Sequence, residues 1–420
     1  LASAACTVDV RGQSPDEILD AGGVKGGLVV HIGCGDGKLT AQLHANEAFL
    51  VQGLDGSEEN VKKAREHIKS LDLYGSVSVD HLTGDELPFI DNLANLVISE
   101  NLGDVPMSEV MRILCPEGAA YIKKGGQWQK TVKARPKEID EWTHYLHDST
   151  NNAVAHDTVI APPKRMQWIG SPKWARHHDR MSSVSAVVSA GGRVFYIIDE
   201  ASRFSVLLDA KWSLIARDAF NGTILWKRPI DKWHTHLWPL KSGPAQLPRR
   251  LVAIGDRVYV TLGIDAPVSV LDAATGQTVR TYPQTRGAEE IIYSDGTILA
   301  VAQNQAHAST LHDVKRAGGG YGAVFWDEQP GQLVAIRAET GDVLWGQKRT
   351  VLPGTLAALN GRVFFHDGER IICLDRKTGE RLWRSYPVAR AKQILGFYLP
   401  ILVVNDDVVL FSGGETAGLQ

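Results

Sequence analysis

The chain is short of several things, and each shortage excludes something. Its 420 residues include four cysteines, Cys6, Cys34, Cys115 and Cys373, and no two form a C-x-x-C pair. A cysteine zinc site and a haem-attachment motif are therefore excluded, and so is a disulfide scaffold. No apolar run approaches the roughly 18 residues of a membrane helix, so no transmembrane segment is expected. Charge of one sign is also missing. Lys and Arg number 45, Asp and Glu 48, and the net charge is −3. The cations are spread along the chain rather than gathered on a basic face, which argues against a nucleic-acid partner. The opening "LASAAC" has no methionine. Small residues of this Ala-x-Ala kind are what a signal peptidase leaves, so residues 1–14 read as a tail carrying an export remnant or as an arbitrary start. The location expected is unassigned, with an exported or periplasmic one favoured over the cytoplasm.

What is present is a globular composition, 44% hydrophobic and 22% charged, in a chain long enough for two domains. The first 135 residues alternate short apolar runs with helical stretches, the pattern of a parallel α/β sheet. Strands are expected at 27–33, 48–55, 77–82, 93–101 and 118–124. Helices are expected at 38–46, at 57–71 with Ser57 as cap, and at 107–118, stopped by Pro116 and Gly118.

Between the first strand and helix lies "HIGCGDG". Gly33, Gly35 and Gly37 let backbone approach a ligand at a helix start, where free N–H groups face outward. Their G-x-G-x-G spacing departs from the dinucleotide fingerprint G-x-G-x-x-G. Asp55 ends the second strand about 20 residues on, where a carboxylate can accept the ribose hydroxyls of an adenosine ligand.

These residues make the stretch 27–124 resemble a class I S-adenosylmethionine-dependent methyltransferase. The pieces match in order: "HIGCGDG", "GLDGSEENVKKAR", "GDELPFIDNLANLVIS", "EVMRILCPEG" and the strand after it. The resemblance implies a Rossmann-like fold over 15–135 and S-adenosylmethionine as cofactor. It implies cofactor contacts at His31, Gly33, Cys34, Gly35, Gly37, Asp55, Gly56, Asp85 and Glu86. Asp55 would hold the ribose, Asp85 would lie near the adenine amine, and Gly33 to Gly37 would face the methionine part. Two departures stand out. His31 occupies the place of an Asp or Glu; neutral, it can accept a hydrogen bond, while charged it repels the ammonium and sulfonium. The family's closing antiparallel hairpin is reduced to "WQKTVKARP". No catalytic base is assigned.

Residues 136–185 form a junction dense in His and Trp. If "EIDEWTHYLHD" is a helix, His144, His147 and Asp148 share a face and could join His156, or His177 and His178, around a metal. The bland reading is a polar hinge whose histidines bond backbone carbonyls, and it is preferred, so no metal ligand is assigned. Trp142, Trp168 and Trp174 read as interface packing. The triplet "HTH" at 234–236 is a similar weak metal candidate.

From 186 the chain repeats itself. "ARDAFNGTILW" (216–226), "VLDAATGQTVR" (270–280), "AIRAETGDVLW" (335–345) and "CLDRKTGERLW" (373–383) each read as strand, tight turn, strand. Each follows a β run that opens with its own turn, at 191–199, 255–263, 295–303 and 360–368, and a fifth run starts at 405. Units of four strands arranged radially make an all-β propeller. The phrase A-x-D-x-x-T-G-x-x-x-W resembles the repeat of quinoprotein (PQQ-like) propellers, in which the tryptophan docks one blade on the next. Arg280 departs from that pattern. The expected propeller over 186–420 is incomplete, with four to five blades, as in a truncated chain. No vicinal cysteines accompany the repeats, which makes pyrroloquinoline quinone (PQQ) the less favoured cofactor. Arg176, His177, His178, Asp179, Arg249 and Arg250 could face a funnel or lie on a solvated rim, and the rim is preferred.

The whole chain resembles a bacterial type of protein in which a methyltransferase-like domain precedes quinoprotein-like repeats. That resemblance implies the architecture and no substrate. The reading preferred is an S-adenosylmethionine-binding methyltransferase whose propeller binds a small-molecule or protein substrate or partner. The alternatives are a propeller oxidoreductase, and a non-catalytic scaffold with a degenerate first domain.

Overall fold

The computed structural model describes residues 14–159, 162, 166–171, 184–204, 208–233, 245–302, 326, 328–392, 394 and 399–413. Their contacts divide the chain into two compact units. One takes the residues up to Ile139 with Asp157–Gly170 and Ala216–Trp226. The other takes Asp140–His156, Ser171–Ile215 and the residues from Lys227 onward. No described helix is long and apolar enough to cross a membrane.

The first unit begins with helix α1 (Pro15–Gly22), which the sequence reading did not anticipate. Its signal was in "SPDE": the Ser14 hydroxyl accepts from Glu17 N, and the Glu17 carboxylate accepts from Ser14 N, a capping box with Pro at the first turn. The elements that follow are β1 (Gly27–Ile32), α2 (Lys38–Gln42), β2 (Phe49–Asp55), α3 (Glu58–Ser70), β3 (Val77–His81) and β4 (Ala94–Ser99). Then come α4 (Met107–Ile113), β5 (Leu114–Lys124) and β6 (Gln127–Val132). The sheet order is β3-β2-β1-β4-β5-β6. All pairs are parallel except β5–β6.

Alternating side chains cover both faces of this sheet, as a buried parallel sheet requires. Val29, Val51 and Leu96 pack with Ala64 and Ile68 of α3 on one face. Val30, Ile32 and Val97 pack with Val110 and Ile113 of α4 on the other. The order reverses between β1 and β4, which puts the ligand crevice of such folds at their carboxyl ends.

The helix expected at 107–118 stops at Ile113, and Leu114 is already extended. Pro116 disfavours helical backbone at Cys115, so its stop signal acts upstream of itself. Pro116 and Gly118 lie in a bulge of β5, where Ala94 pairs with Leu114 but Leu96 with Ala119.

Among the described residues beyond 183 are four sheets of four strands in sequential order, at 184–229, 251–282, 288–349 and 357–387, and then a hairpin at 401–412. The repeat turns share one construction. Asp218, Asp272 and Asp375 each use Oδ1 to accept the N–H groups two and three residues on. Gly222, Gly276, Gly341 and Gly379 close the turn at φ 69 to 84°, each donating N–H to the carbonyl four residues back. At Arg337, which stands where the others have Asp, the backbone bonds persist without the carboxylate, and Thr340 bonds Asp342 across the turn.

The docking expected of the repeat tryptophans is visible at Trp345, and Trp168, outside the repeats, covers a second turn in the same way. Trp345 Nε1 donates to Arg376 O at 2.8 Å, and its ring lies where a Cβ on Gly379 would fall, 2.7 Å away. In the first unit, Trp168 does the same to the turn at 218–222, donating to Ala219 O and covering Gly222. Arg280 lies over Gly341, 3.1 Å from a Cβ there, so the cation's stem takes the place of the indole.

The residues expected as a hinge do something else. Instead of a helix, residues 140–151 form an irregular strap inside the second unit, bonded to each of the sheets in turn. Trp142 O accepts Ser189 N, Thr143 O accepts Ala253 N, and His144 Nε2 accepts Tyr293 N. Ser149 O accepts Ala358 N, and Thr150 O accepts Val404 N. Asn151 then donates to both Leu356 O and Leu402 O, while its Oδ1 accepts from Arg249. Asn151 is buried and sits at φ 59°. Asn151→Ala should lower stability by about 2–4 kcal/mol, because two carbonyls and a guanidinium lose their partner. Asn151→Gly should be milder by about 1 kcal/mol, since glycine takes positive φ without strain. Denaturant midpoints of the two variants check both the size and the order.

Candidate functional site

The glycine turn is held from below. Gly33 N and Cys34 N donate to Leu54 O at 2.8 and 3.1 Å, and Ser99 Oγ donates to Ile32 O at 2.9 Å. Gly33, Gly35 and Gly37 all have positive φ, 75, 55 and 79°. They differ in what a side chain would meet. A Cβ on Gly37 would fall 2.7 Å from Ala64 Cβ, so this glycine lets α2 and α3 touch. On Gly33 it would meet only Asn101 O at 3.4 Å, and on Gly35 nothing within 4 Å. The first two glycines therefore leave the backbone bare toward open space at the crevice.

Asp55 is buried and joins the turn to α3. Its Oδ2 accepts Gly35 N at 2.8 Å; its Oδ1 accepts Ser57 N at 2.9 Å and Asn60 Nδ2 at 3.1 Å. A carboxylate has about four acceptor sites, so one remains for a ribose hydroxyl and a second opens if the Asn60 amide turns away. This explains a departure from the capping box. Ser57 caps α3 by accepting Asn60 N, but Asn60 reaches back to Asp55 instead of to Ser57 N.

His31 is buried under the turn, with Nδ1 2.9 Å from Thr40 Oγ1. Burial lowers its pKa to about 4, against the opposing pull of Glu100 and Asp55. The ring is neutral at physiological pH, which removes the charge repulsion that its position raised. The Cys34 thiol is pushed up to about 12, by burial first and then by Asp55, and does not serve as a nucleophile. Asp85 and Glu86 are exposed on the loop after β3. That loop is pinned where it returns: Leu87 N donates to Glu109, and Arg112 donates to Leu87 O and Phe89 O. Gly56 O lies 3.0 Å from His81 Nε2. The structure thus brings His31, Gly33 to Gly37 and Asp55 together at one end of the sheet.

Of the junction candidates His144 turns away, while His147 keeps Asp148 and His156 beside it. His144 is buried with its ring between Thr143 Oγ1 and Tyr293 N, and burial lowers its pKa to about 4. His147 turns instead to Asp140, which the sequence reading had not included, and His156 lies beside them. Arg249 and Arg250 are buried rather than on a solvated rim. Arg249 pairs with Glu290 at 2.7 Å, and Arg250 donates to Ile264 O. Trp174, Arg176, His177, His178, Asp179, the triplet 234–236, Cys6 and the N-terminal tail lie outside the described residues.

Comparison with known proteins follows the same division. Residues 29–126 match the family model described as a methyltransferase domain, and residues 288–420 the one described as outer membrane protein assembly factor BamB. The chain therefore carries a methyltransferase-like domain of Rossmann type and a BamB-like, PQQ-type repeat domain. Among curated proteins it resembles the outer membrane protein assembly factor BamB of Burkholderia pseudomallei (strain K96243), at 28% identity over 165 residues. That match covers 34% of this chain and 43% of the relative. Similar solved structures include a putative S-adenosyl-L-methionine-dependent methyltransferase from Methanococcus maripaludis, with 27% identity and TM-score 0.25. It covers 27% of this chain and 54% of that one. Another is a putative methyltransferase of Haloferax volcanii in complex with its Trm112 activator. There the identity is 30% and the TM-score 0.23, covering 26% of this chain and 49% of that one. The chain spans less than half the length of the curated relative and about half of each solved one.

The buried imidazole has a consequence for acid stability. Unfolded histidine titrates near 6.5 and folded His31 near 4. Below pH 6.5 the unfolded chain takes up a proton that the fold refuses. The stability His31 contributes is complete above about pH 6.5, falls as pH drops toward 4, and is level below that. The expected loss is up to about 3 kcal/mol. His31→Asn should flatten this limb for the first unit. Equal acid losses in the variant and the wild type, followed by denaturant midpoints at pH 7 and 4.5, would show that His31 protonates freely.

Proposed function

We propose that the first unit binds S-adenosylmethionine and that the protein is a methyltransferase whose repeat domain engages the substrate or a protein partner. The observation that carries this reading is the Asp55–Gly35 arrangement. A buried carboxylate, with acceptor capacity left, is tied to a glycine that faces open space at the β1–β4 crevice. The methyltransferase match over 29–126 supports it.

The residues fit the cofactor's chemistry. Asp55 would accept a ribose hydroxyl, Asp85 the adenine amine, and the bare backbone at Gly33 and Gly35 would let the methionine part approach. His31, uncharged, would leave the cationic end unopposed. In the tautomer that donates Nδ1–H to Thr40, its Nε2 keeps a lone pair in the place of the family's carboxylate. The cofactor supplies an electrophilic methyl on sulfonium. What the chain contributes is position, and Gly56, Glu86 and Cys34 belong to the walls of that site rather than to its chemistry.

The BamB-like match favours a second reading, in which the repeats bind protein in an exported setting and the first unit does not turn over. Nothing observed favours a quinone.

Calorimetric titration of S-adenosylmethionine separates the two. Saturable binding is expected for the wild type. Gly35→Ala, whose methyl meets no protein atom, should weaken it at least tenfold, about 1.4 kcal/mol, as should Asp85→Ala on the exposed loop. Circular dichroism checks that the variants remain folded. A folded wild type that takes up no cofactor at millimolar concentration sinks the first reading and leaves the second.

A further inference from the structure

The strap carries a cluster that neither reading uses. His147 is buried, with Nε2 2.7 Å from Asp140 Oδ2 and Nδ1 3.4 Å from Asp148 Oδ2. Its ring therefore stands between two carboxylates. A neutral imidazole has one N–H and one lone pair, so one of its nitrogens must point a lone pair at a carboxylate oxygen. No hydrogen-bond partner satisfies Nδ1. His156 completes the group, its Nδ1 3.7 Å from the same Asp140 oxygen and its ring edge-on to His147 at 4.9 Å. One donor atom from each of Asp140, His147 and His156 lies within 4.8 Å of the others.

We propose that Asp140, His147 and His156 bind a divalent first-row transition-metal cation of the Zn²⁺ class. Two imidazoles and a carboxylate are a borderline donor set that such cations prefer and that Ca²⁺ and Mg²⁺ do not. Tetrahedral bonds of 2.0–2.1 Å place donor atoms about 3.3 Å apart. The His147–Asp140 contact has to widen from 2.7 Å and the His156–Asp140 one to close from 3.7 Å, and the two imidazole nitrogens, within 4.8 Å of each other, have to draw together by rotation of the exposed His156 side chain.

The cation resolves the conflict at His147. Nε2 gives its lone pair to the metal, and Nδ1–H then faces Asp148, the carboxylate–histidine–metal relay common at such sites. Asp148 is already set for this role, because its Oδ1 is occupied by Thr150 N and Thr150 Oγ1. Asp140 is set too, since Glu141 N and His156 N each donate to one of its oxygens at 2.7 Å. The backbone thus fixes both carboxylates, and His147 is walled by Trp142 at 5.3 Å. Three protein ligands leave a coordination position open, and His156, whose side chain is 69% exposed, gives the site access to solvent. A site of this kind keeps water or a small anionic ligand in its open position.

The test uses the full chain stripped with a chelator and titrated with Zn²⁺ by calorimetry, and with Co²⁺ by visible absorption. One equivalent is expected to bind saturably, and Co²⁺ should show the strong visible band of low coordination with nitrogen ligands. His156→Ala, at an exposed position that leaves the strap's bonds to the sheets in place, should weaken binding at least about tenfold. Asp148→Asn, which removes the charge behind Nδ1, should weaken it by about 10–100-fold. Two results overturn the proposal. One is a folded, stripped wild type that takes up no Zn²⁺ below millimolar concentration. The other is a His156→Ala variant that binds as tightly as the wild type, which places the metal on other histidines.

Discussion

The second unit depends on a single short run of backbone. Sheets built from sequential hairpins have few reasons to stay together beyond the packing of neighbouring faces, and their inner edges carry unpaired N–H and C=O groups. Residues 142 to 151 satisfy some of those groups on every sheet in succession, from Ser189 to Val404. The run cannot be a helix, because its own backbone groups are needed by others. Its polar side chains are buried for the same reason. Asn151 bridges two sheets, and Arg249 and Glu290 lie buried beside it as an ion pair, where losing one partner strands the other's charge. Burial pushes the Glu290 carboxyl upward and Arg249 pulls it back. Histidines occur here because an imidazole can take a backbone N–H on one nitrogen and a hydroxyl on the other, as His144 does.

In the first unit a single carboxylate has the comparable part. Asp55 ends β2, tethers the glycine turn and anchors the start of α3. A group expected to hold a ligand also holds the fold around the place where the ligand would sit. The two roles are compatible because a carboxylate has more acceptor sites than the protein fills. His31 beneath it shows the opposite economy: burial takes away its charge, and with it the repulsion expected of a cation there.

Much of this was legible in the residues. The strands of the first sheet, its glycine turn and the acidic end of β2 stood in "LVVHIGCGDG" and "QGLDGSEEN". β runs that open with their own turns, and the repeated turn phrase, announced the later sheets. Other signals were misread by a small step. Pro116 was placed as the residue that ends a helix, although its restriction falls on Cys115. The "SPDE" capping box was present and passed over. Arg280 was noted as out of pattern, and only the structure shows its stem over Gly341 where an indole lies over Gly379.

The junction marks the limit of such reading. His144, His147 and Asp148 share a face only on a helix, and helical spacing in a sequence does not state whether the backbone's own hydrogen bonds are free to make one. Here five sheets compete for those bonds and win, so the His144 ring turns to Tyr293, and Asp140 and His156, seven and nine residues from His147, join Asp148 beside it. Local pattern determined the elements, the glycine turn and the repeat turns, because short-range hydrogen bonding and steric preference decide them. Tertiary structure alone decided the strap, the neutral state of His31 and the exchange of His144 for Asp140 beside His147, because those follow from which distant backbone groups are left unsatisfied and from how far water is excluded.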